Sequence, residues 1–293
     1  MTEYEKSNYL GYKGYTLYKK NLNKNDMLKI KKDLIVKPYN YLSNNNNNNS
    51  EYFNIYLESE NKIYVPRFWG IKNFGYPKTI KIGVGKSINL KFNGQLRDYQ
   101  ENVMNSYLKS IKFGTKEEEN CEGCALIELF AGAGKTVLGL KIIEVLKKKT
   151  IIFVHKTFLK NQWIERIKQY LPDAKIGTIQ GEVIDIEDKD IVIAMIQSVS
   201  MKTYPDNMFQ DFGFTIIDET HHIASQTFSN CLKKCTTLYS LGISATMTRK
   251  DGLTSVFKMY LGEICNKEKK KTQEDNVLIK AIDYIVIDDE EYN

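Results

Sequence analysis

The residues best equipped for chemistry in this 293-residue chain stand together at Ala131-Gly132-Ala133-Gly134-Lys135-Thr136. Two glycines let a backbone curl so that successive N–H groups face one concavity, and a polyphosphate fits there when a helix N-terminus closes it. Ala131 to Gly134 would supply those amides, Lys135 would reach the β- and γ-phosphates, and the Thr136 hydroxyl would hold Mg²⁺. A second group, Asp218-Glu219-Thr220-His221, begins 83 residues beyond Lys135. Two carboxylates at a strand end divide the work of hydrolysis. Asp218 would bind the Mg²⁺ of MgATP, usually through water, and Glu219 would orient and deprotonate the attacking water. Each motif alone has an ordinary reading, a tight strand-to-helix turn in one case and a solvated acidic pair in the other. In this order and at this separation they read as the ATP site of a P-loop NTPase. One departure stands out: the first glycine of G-x-x-x-x-G-K-[ST] would fall at Leu129.

Such residues need elements to aim them. An apolar run, Ala125 to Phe130, leads into the glycine loop, and apolar residues then recur at Val137, Leu138, Leu140, Ile142 and Ile143, which is strand, loop and helix. Phe214 to Ile217 is a β-branched strand ending at Asp218. Between the two motifs come a buried strand at Thr150 to Val154, an amphipathic helix at Phe158 to Tyr170, and strands at Lys175 to Ile179 and Ile191 to Ile196; another follows at Leu238 to Ile243. Repeated βαβ units predict an α/β fold, a parallel sheet with helices on both faces, whose site lies at the strands' C-terminal ends. His155, Lys156, Gln180, Gln197 and Ser198 fall at those ends, and as a set they could hold a phosphate backbone. Ser244 and Thr246 end the last strand, where small hydroxyls beside His221 could relay the state of a γ-phosphate. Gln100, in a helix expected from Leu96 to Ile111, carries an amide suited to the N6/N7 edge of adenine.

Composition describes an ordinary globular protein, with 42% apolar and 27% charged residues. No apolar run reaches the roughly 18 residues of a membrane span, and Met1 to Leu10 lacks a signal-peptide core, so an intracellular compartment is expected. Residues 1–95 hold 16 Lys plus Arg against 7 Asp plus Glu, a charge of +9, which leaves −3 for the remainder. A basic front of this kind suits a polyanion such as nucleic acid, as well as a solvated lysine surface. The same stretch holds 11 of the 19 tyrosines in short alternating pieces, with a helix near Lys24 to Ile35, a turn at Val65 to Gly70 and an Asn-rich loop at residues 44–49. It reads as a small, strand-rich α+β domain. Cys121-x₂-Cys124 and Cys231-x₃-Cys235 have spacings that zinc could use, but their positions in a core strand and an apolar helical stripe favour reduced, buried thiols.

Leu96-Arg97-Asp98-Tyr99-Gln100, Leu129 to Thr136, Val154-His155-Lys156, Asp218-Glu219-Thr220-His221, Ser244-Ala245-Thr246 and Arg249-Lys250-Asp251-Gly252 resemble, in order, the motifs of superfamily 2 helicases of the DExH type. Leu129, Val-His-Lys and Arg-Lys-Asp-Gly-Leu resemble the XPB-like branch, and Val65 to Gly70 resembles the front domain of large DNA virus relatives; Phe130-Ala131 departs from the Pro-Cys usual there. The resemblance implies a RecA-like P-loop NTPase lobe over residues 96–265, preceded by the basic domain 1–95 and followed by a linker or the start of a second lobe at 266–293. It implies ATP and Mg²⁺ as cofactors and nucleic acid, DNA rather than RNA, as partner. Arg97 would join Gln100 at the adenine, Asp218, Glu219, His221 and Lys135 would carry hydrolysis, and Ser244 and Thr246 would couple it to movement. Lys156, Gln180, Gln197 and Ser198 would lie along one strand of the polymer. The family works with two lobes, the second supplying arginine fingers typically worth about 10³ or more in rate, so little turnover is expected from this stretch alone. Viral transcription or repair machinery, in the cytoplasm or virion, is the expected setting.

Overall fold

The computed structural model describes residues 7–37, 52–111, 123–218, 225–247 and 254–269. In chain order the front of the molecule comprises β1 (Tyr9–Gly11), β2 (Gly14–Tyr18), α1 (Lys24–Leu34), β3 (Ile35–Val36), β4 (Phe53–Asn54), β5 (Leu57–Glu58), β6 (Lys62–Val65), α2 (Arg67–Phe74) and β7 (Thr79–Ile80). There follow α3 (Asp98–Ser110), β8 (Cys124–Leu129), α4 (Lys135–Leu146), β9 (Thr150–Val154), α5 (Thr157–Tyr170), β10 (Ile176–Gln180), β11 (Val183–Asp185), β12 (Ile191–Met195) and α6 (Ile196–Met201). Then come β13 (Phe214–Asp218), α7 (Ser225–Leu232), β14 (Tyr239–Ser244), α8 (Thr254–Leu261) and β15 (Ile264–Glu268).

Five front strands form one sheet in the order β5-β6-β2-β1-β7. Alternation in β6, whose Ile63 and Val65 are buried, and the inward Tyr15 and Leu17 of β2 give this sheet its apolar face, on which Ile30 and Leu34 of α1 pack. The start of α1 is set by a capping box: Asn23 accepts from the Asp26 N–H while Asp26 accepts from the Asn23 N–H. Val65 to Gly70, expected as a turn, instead leads into α2. Pro66 takes the N-cap, where its missing N–H costs nothing, and Trp69 turns into the core at 4% exposure. Leu238 and Val256 complete the same core from the second half of the chain, and Arg67 crosses to it, donating to the Thr237 and Leu238 carbonyls at 2.8 and 3.1 Å.

The eight-stranded sheet runs β11-β10-β12-β9-β13-β14-β8-β15 and is parallel except for the edge strand β11. Every residue of β9, β12 and β13 is buried, which explains their predominantly apolar sequences: a parallel sheet is covered on both faces. Residues of α3, α4 and α5 fill one core and residues of α6, α7 and α8 fill the other, so helices do lie on both sides. The segment before α3 belongs to the first of these cores through Ile88, Leu90 and Phe92. Lys86 meanwhile accepts from the Lys149 N–H at 2.8 Å. The added strand β15, hidden in a charged sequence, pairs with β8 and carries the sheet to Glu268. Register brings Asp218 opposite Ile243, and Ser244 opposite Glu128, so the C-terminal ends of β13, β14 and β8 finish along one edge.

Candidate nucleotide site and strand-end rim

At the end of β8 both loop glycines hold left-handed backbone, with φ of +81° at Gly132 and +75° at Gly134. They differ in surroundings. A Cβ added at Gly132 would meet nothing within 4 Å, whereas one at Gly134 would stand 2.5 Å from Gln100 Nε2. Ala133 between them is fully buried, and its carbonyl accepts hydrogen bonds from Tyr99 Oη and Gln100 Nε2, both at 2.8 Å. The other end of the Gln100 amide accepts from the Arg97 N–H at 2.9 Å, and Arg97 donates to Tyr99 Oη at 3.3 Å. Thus the start of α3 grips the loop from its protein side while the Gly132 side stays open. Both ends of the Gln100 amide engage backbone here, so its visible effect is to seat the loop.

α4 begins at Lys135, its N-cap Gly134 supplies no side-chain cap, and the positive end of the helix dipole favours an anion at that point. Thr136, on its first turn, is partly exposed. Asp218, at the end of β13, is 5% exposed, and its Oδ2 accepts from Trp163 Nε1 at 2.8 Å. An open glycine nest, an uncapped twelve-residue helix, a hydroxyl and a buried carboxylate are a donor set that suits a triphosphate with a hard, oxygen-seeking cation. β14 separates β8 from β13, so Ser244 ends between the loop and Asp218; it is fully buried and donates to the Thr246 carbonyl at 2.9 Å. Glu219, His221 and Arg249 to Gly252 lie outside the described residues.

Farther along the same edge, the four rim residues are tied to neighbouring strand ends. Gln197 Nε2 donates to the His155 carbonyl at 3.0 Å, joining the start of α6 to the residue after β9. Ser198 Oγ accepts from the Gly181 N–H at 2.9 Å, joining α6 to the residue after β10. Gln180 accepts from Lys160 of α5, and Lys156, exposed at the N-cap of α5, sits 5.8 Å from the Phe158 ring. Three residues that sequence reasoning left without roles enter the site: Tyr99, Lys160 and Trp163. For Trp163 there was a signal, because a buried indole in an apolar helical stripe still needs an acceptor for its N–H. Cys124, Cys231 and Cys235 are buried free thiols; Cys121 is outside the described residues. Among the described residues, no set of three or more His, Cys, Asp or Glu could hold a metal ion, and no helix is long and apolar enough to cross a membrane.

A strand feeding a two-glycine loop, a helix uncapped at that loop, and a buried acid two strands away define the class: the nucleotide-binding lobe of a RecA-like P-loop NTPase. Residues 93–249 match the family described as "Type III restriction enzyme, res subunit", and the chain belongs to that family, within the superfamily 2 helicases. It is 33% identical over 276 residues to a protein of Acanthamoeba polyphaga mimivirus provisionally named ATP-dependent RNA helicase L396, covering 92% of this chain and 51% of that one. It is 34% identical over 170 residues to the DNA 3'-5' translocase XPB2 of Sulfurisphaera tokodaii, covering 58% of this chain and 35% of that one. The fold is shared with the UvsW helicase of bacteriophage T4, with a TM-score of 0.55 at 16% identity over 83% of this chain and 94% of that one. The chain therefore spans about half the length of the mimivirus relative and a third of the archaeal one.

Proposed function

We propose that this chain is the ATP-binding half of a nucleic-acid-dependent ATPase, a helicase or translocase that moves on DNA in viral transcription, repair or recombination. What carries the reading is the seated loop: a glycine nest held from behind through the Ala133 carbonyl, open in front, on the same sheet edge as Asp218 and a polar rim. In this proposal Lys135 and the amides from Ala131 to Gly134 bind the β- and γ-phosphates. Thr136 and Asp218 hold Mg²⁺, and Glu219 takes the proton of the attacking water. Gln100 and Arg97 meet the adenine once nucleotide enters. His221, Ser244 and Thr246 pass the state of the γ-phosphate onward, and Lys156, Gln180, Gln197 and Ser198 contact the phosphates of one polymer strand. The division into 1–95, 96–265 and 266–293 belongs to the same proposal. So do a second lobe in the longer protein, partners in transcription or repair, and an intracellular setting in cytoplasm or virion.

DNA is favoured by the XPB-like motifs, since the archaeal relative is named a DNA translocase, although the mimivirus relative is named for RNA. The test is ATP hydrolysis with no polymer, duplex DNA, single-stranded DNA or RNA, with Lys135→Ala alongside. A low hydrolysis rate that duplex DNA raises and Lys135→Ala abolishes is the expected result, low because a second lobe's arginine fingers are lacking; stimulation by RNA alone would overturn the choice of polymer. The +9 charge of residues 1–95 favours a second reading, a nucleic-acid-binding module with an idle ATP site. In that case ATP and polymer both bind, no polymer changes the rate, and Lys135→Ala leaves polymer affinity intact.

A further inference from the structure

α5 places one side chain between the two halves of the nucleotide site. Leu159, Trp163 and Ile167 recur every fourth residue and are buried, which fixes the roll of the helix against the sheet. Trp163, 1% exposed, reaches two elements at once. Its indole N–H donates to Asp218 Oδ2 at 2.8 Å. The far edge of its ring faces Gly139 of α4, where an added Cβ would stand 3.0 Å from Trp163 Cη2, with Ile216 and Ile243 next at 3.4 and 3.7 Å. The ring is thus wedged between the helix that follows the phosphate loop and the strand that ends in the acid.

We infer that Trp163 is a positioning residue for metal-nucleotide binding: its N–H occupies one oxygen of Asp218 and fixes the rotation of the carboxylate, so that the other oxygen meets Mg²⁺ or its water. The inference rests on the phosphate site proposed above. A carboxylate with one oxygen held by a donor that is itself clamped by packing has fewer orientations open to it, and outer partners of this kind typically change metal affinity or activity by roughly 10- to 100-fold when removed. Packing alone predicts something different. A wedge that only supports α4 and β13 would affect nucleotide binding with and without metal alike.

The experiment uses Trp163→Phe, which keeps an aromatic ring in the wedge and removes the donor. Binding of a fluorescent ADP analogue is titrated in EDTA and across a Mg²⁺ series, with thermal unfolding recorded beside it. The expected result is unchanged affinity in EDTA and an apparent Mg²⁺ requirement raised by roughly 10-fold or more. A Mg²⁺ dependence equal to wild type would overturn the inference, and so would an equal loss with and without Mg²⁺. A second variant guards against collapse of the wedge. Trp163→His offers a ring N–H in a smaller side chain, and if it also packs too poorly to bind nucleotide in EDTA, the role is structural and the inference fails. Absence of nucleotide binding by the wild-type chain, with or without Mg²⁺, would instead sink the phosphate site itself and this inference with it.

Discussion

The two loop glycines make opposite predictions for the same substitution. Both hold left-handed backbone, which costs an alanine roughly 1–2 kcal/mol. The lost freedom of the unfolded chain returns roughly 0.4–1 kcal/mol. For Gly132→Ala nothing else is charged, because the new Cβ meets no atom within 4 Å, so the net loss of stability is about 1 kcal/mol. Its methyl, however, fills the open side of the nest. Gly134→Ala sets a Cβ 2.5 Å from Gln100 Nε2, and the amide must leave. That breaks its bond to the Ala133 carbonyl and strands a buried donor, adding about 1–3 kcal/mol for a total of roughly 2–4.

Urea denaturation and nucleotide titration of the two variants separate these effects. Gly132→Ala is expected to stay nearly as stable as wild type yet bind nucleotide at least roughly 10-fold more weakly, since a single lost phosphate amide contact is worth about 1.4 kcal/mol or more. Gly134→Ala is expected to lose stability first. A double-mutant cycle with Gln100→Ala makes the cause explicit: the collision vanishes when the amide is absent, so the two losses fall short of additivity by about 1 kcal/mol or more. Equal stability of the two glycine variants, or strict additivity with Gln100→Ala, would refute the account of how the loop is seated.

The remaining predictions concern the seam between the front sheet and the lobe. Arg67 is 2% exposed and donates to Cys124 Sγ and to the Thr237 and Leu238 carbonyls, so Arg67→Ala should cost roughly 3–5 kcal/mol in urea denaturation. Arg67→Lys should recover less than half of that, because one ammonium lacks the planar fork that spans both carbonyls. Lys233 donates to the Asn54 carbonyl and Asn230 beside Lys234, and burial first, then the neighbouring Lys234, brings its pKa down to about 8. The folded state therefore releases this proton before the unfolded state does, and stability rises with pH from about 8 toward the ordinary value of 10.5. Lys233→Met should accordingly be more stable than wild type at pH 7 by about 1–3 kcal/mol, less whatever its lost hydrogen bonds contributed. That advantage should shrink by pH 10; a gap unchanged between pH 7 and pH 10 would count against a strained, charged Lys233.

How much of this was legible in the sequence depended on whether the relevant physics is local. Strands such as β9 and β13 were readable because burial on both faces forces a β-branched, mostly apolar run, and α4 because its periodicity starts where the glycines end. α2 was misread because Pro66 and Gly70 signal a turn locally. The helix forms because Trp69 finds the front core and an acceptor in Asp33, 36 residues away, and Arg67 finds carbonyls 170 and 171 positions away, which no short window of sequence contains. β15 escaped notice for a similar reason: Asn266 and Lys267 do not alternate as a strand should, and it is the exposed edge of β8 that recruits them. The site divides in the same way. Gly132, Gly134, Lys135 and Thr136 announce themselves because the phosphate binding proposed for them needs a fixed backbone path over consecutive residues. Seating that loop, by contrast, falls to Tyr99 and Gln100, more than thirty residues earlier, and Asp218 is held by Trp163, 55 residues away. The groups that touch a nucleotide are constrained by chemistry common to all nucleotides, whereas the groups that hold them are constrained only by this fold. Mutations of the second kind, Tyr99 and Trp163 among them, should therefore alter nucleotide affinity or metal dependence without removing a group proposed to touch the nucleotide.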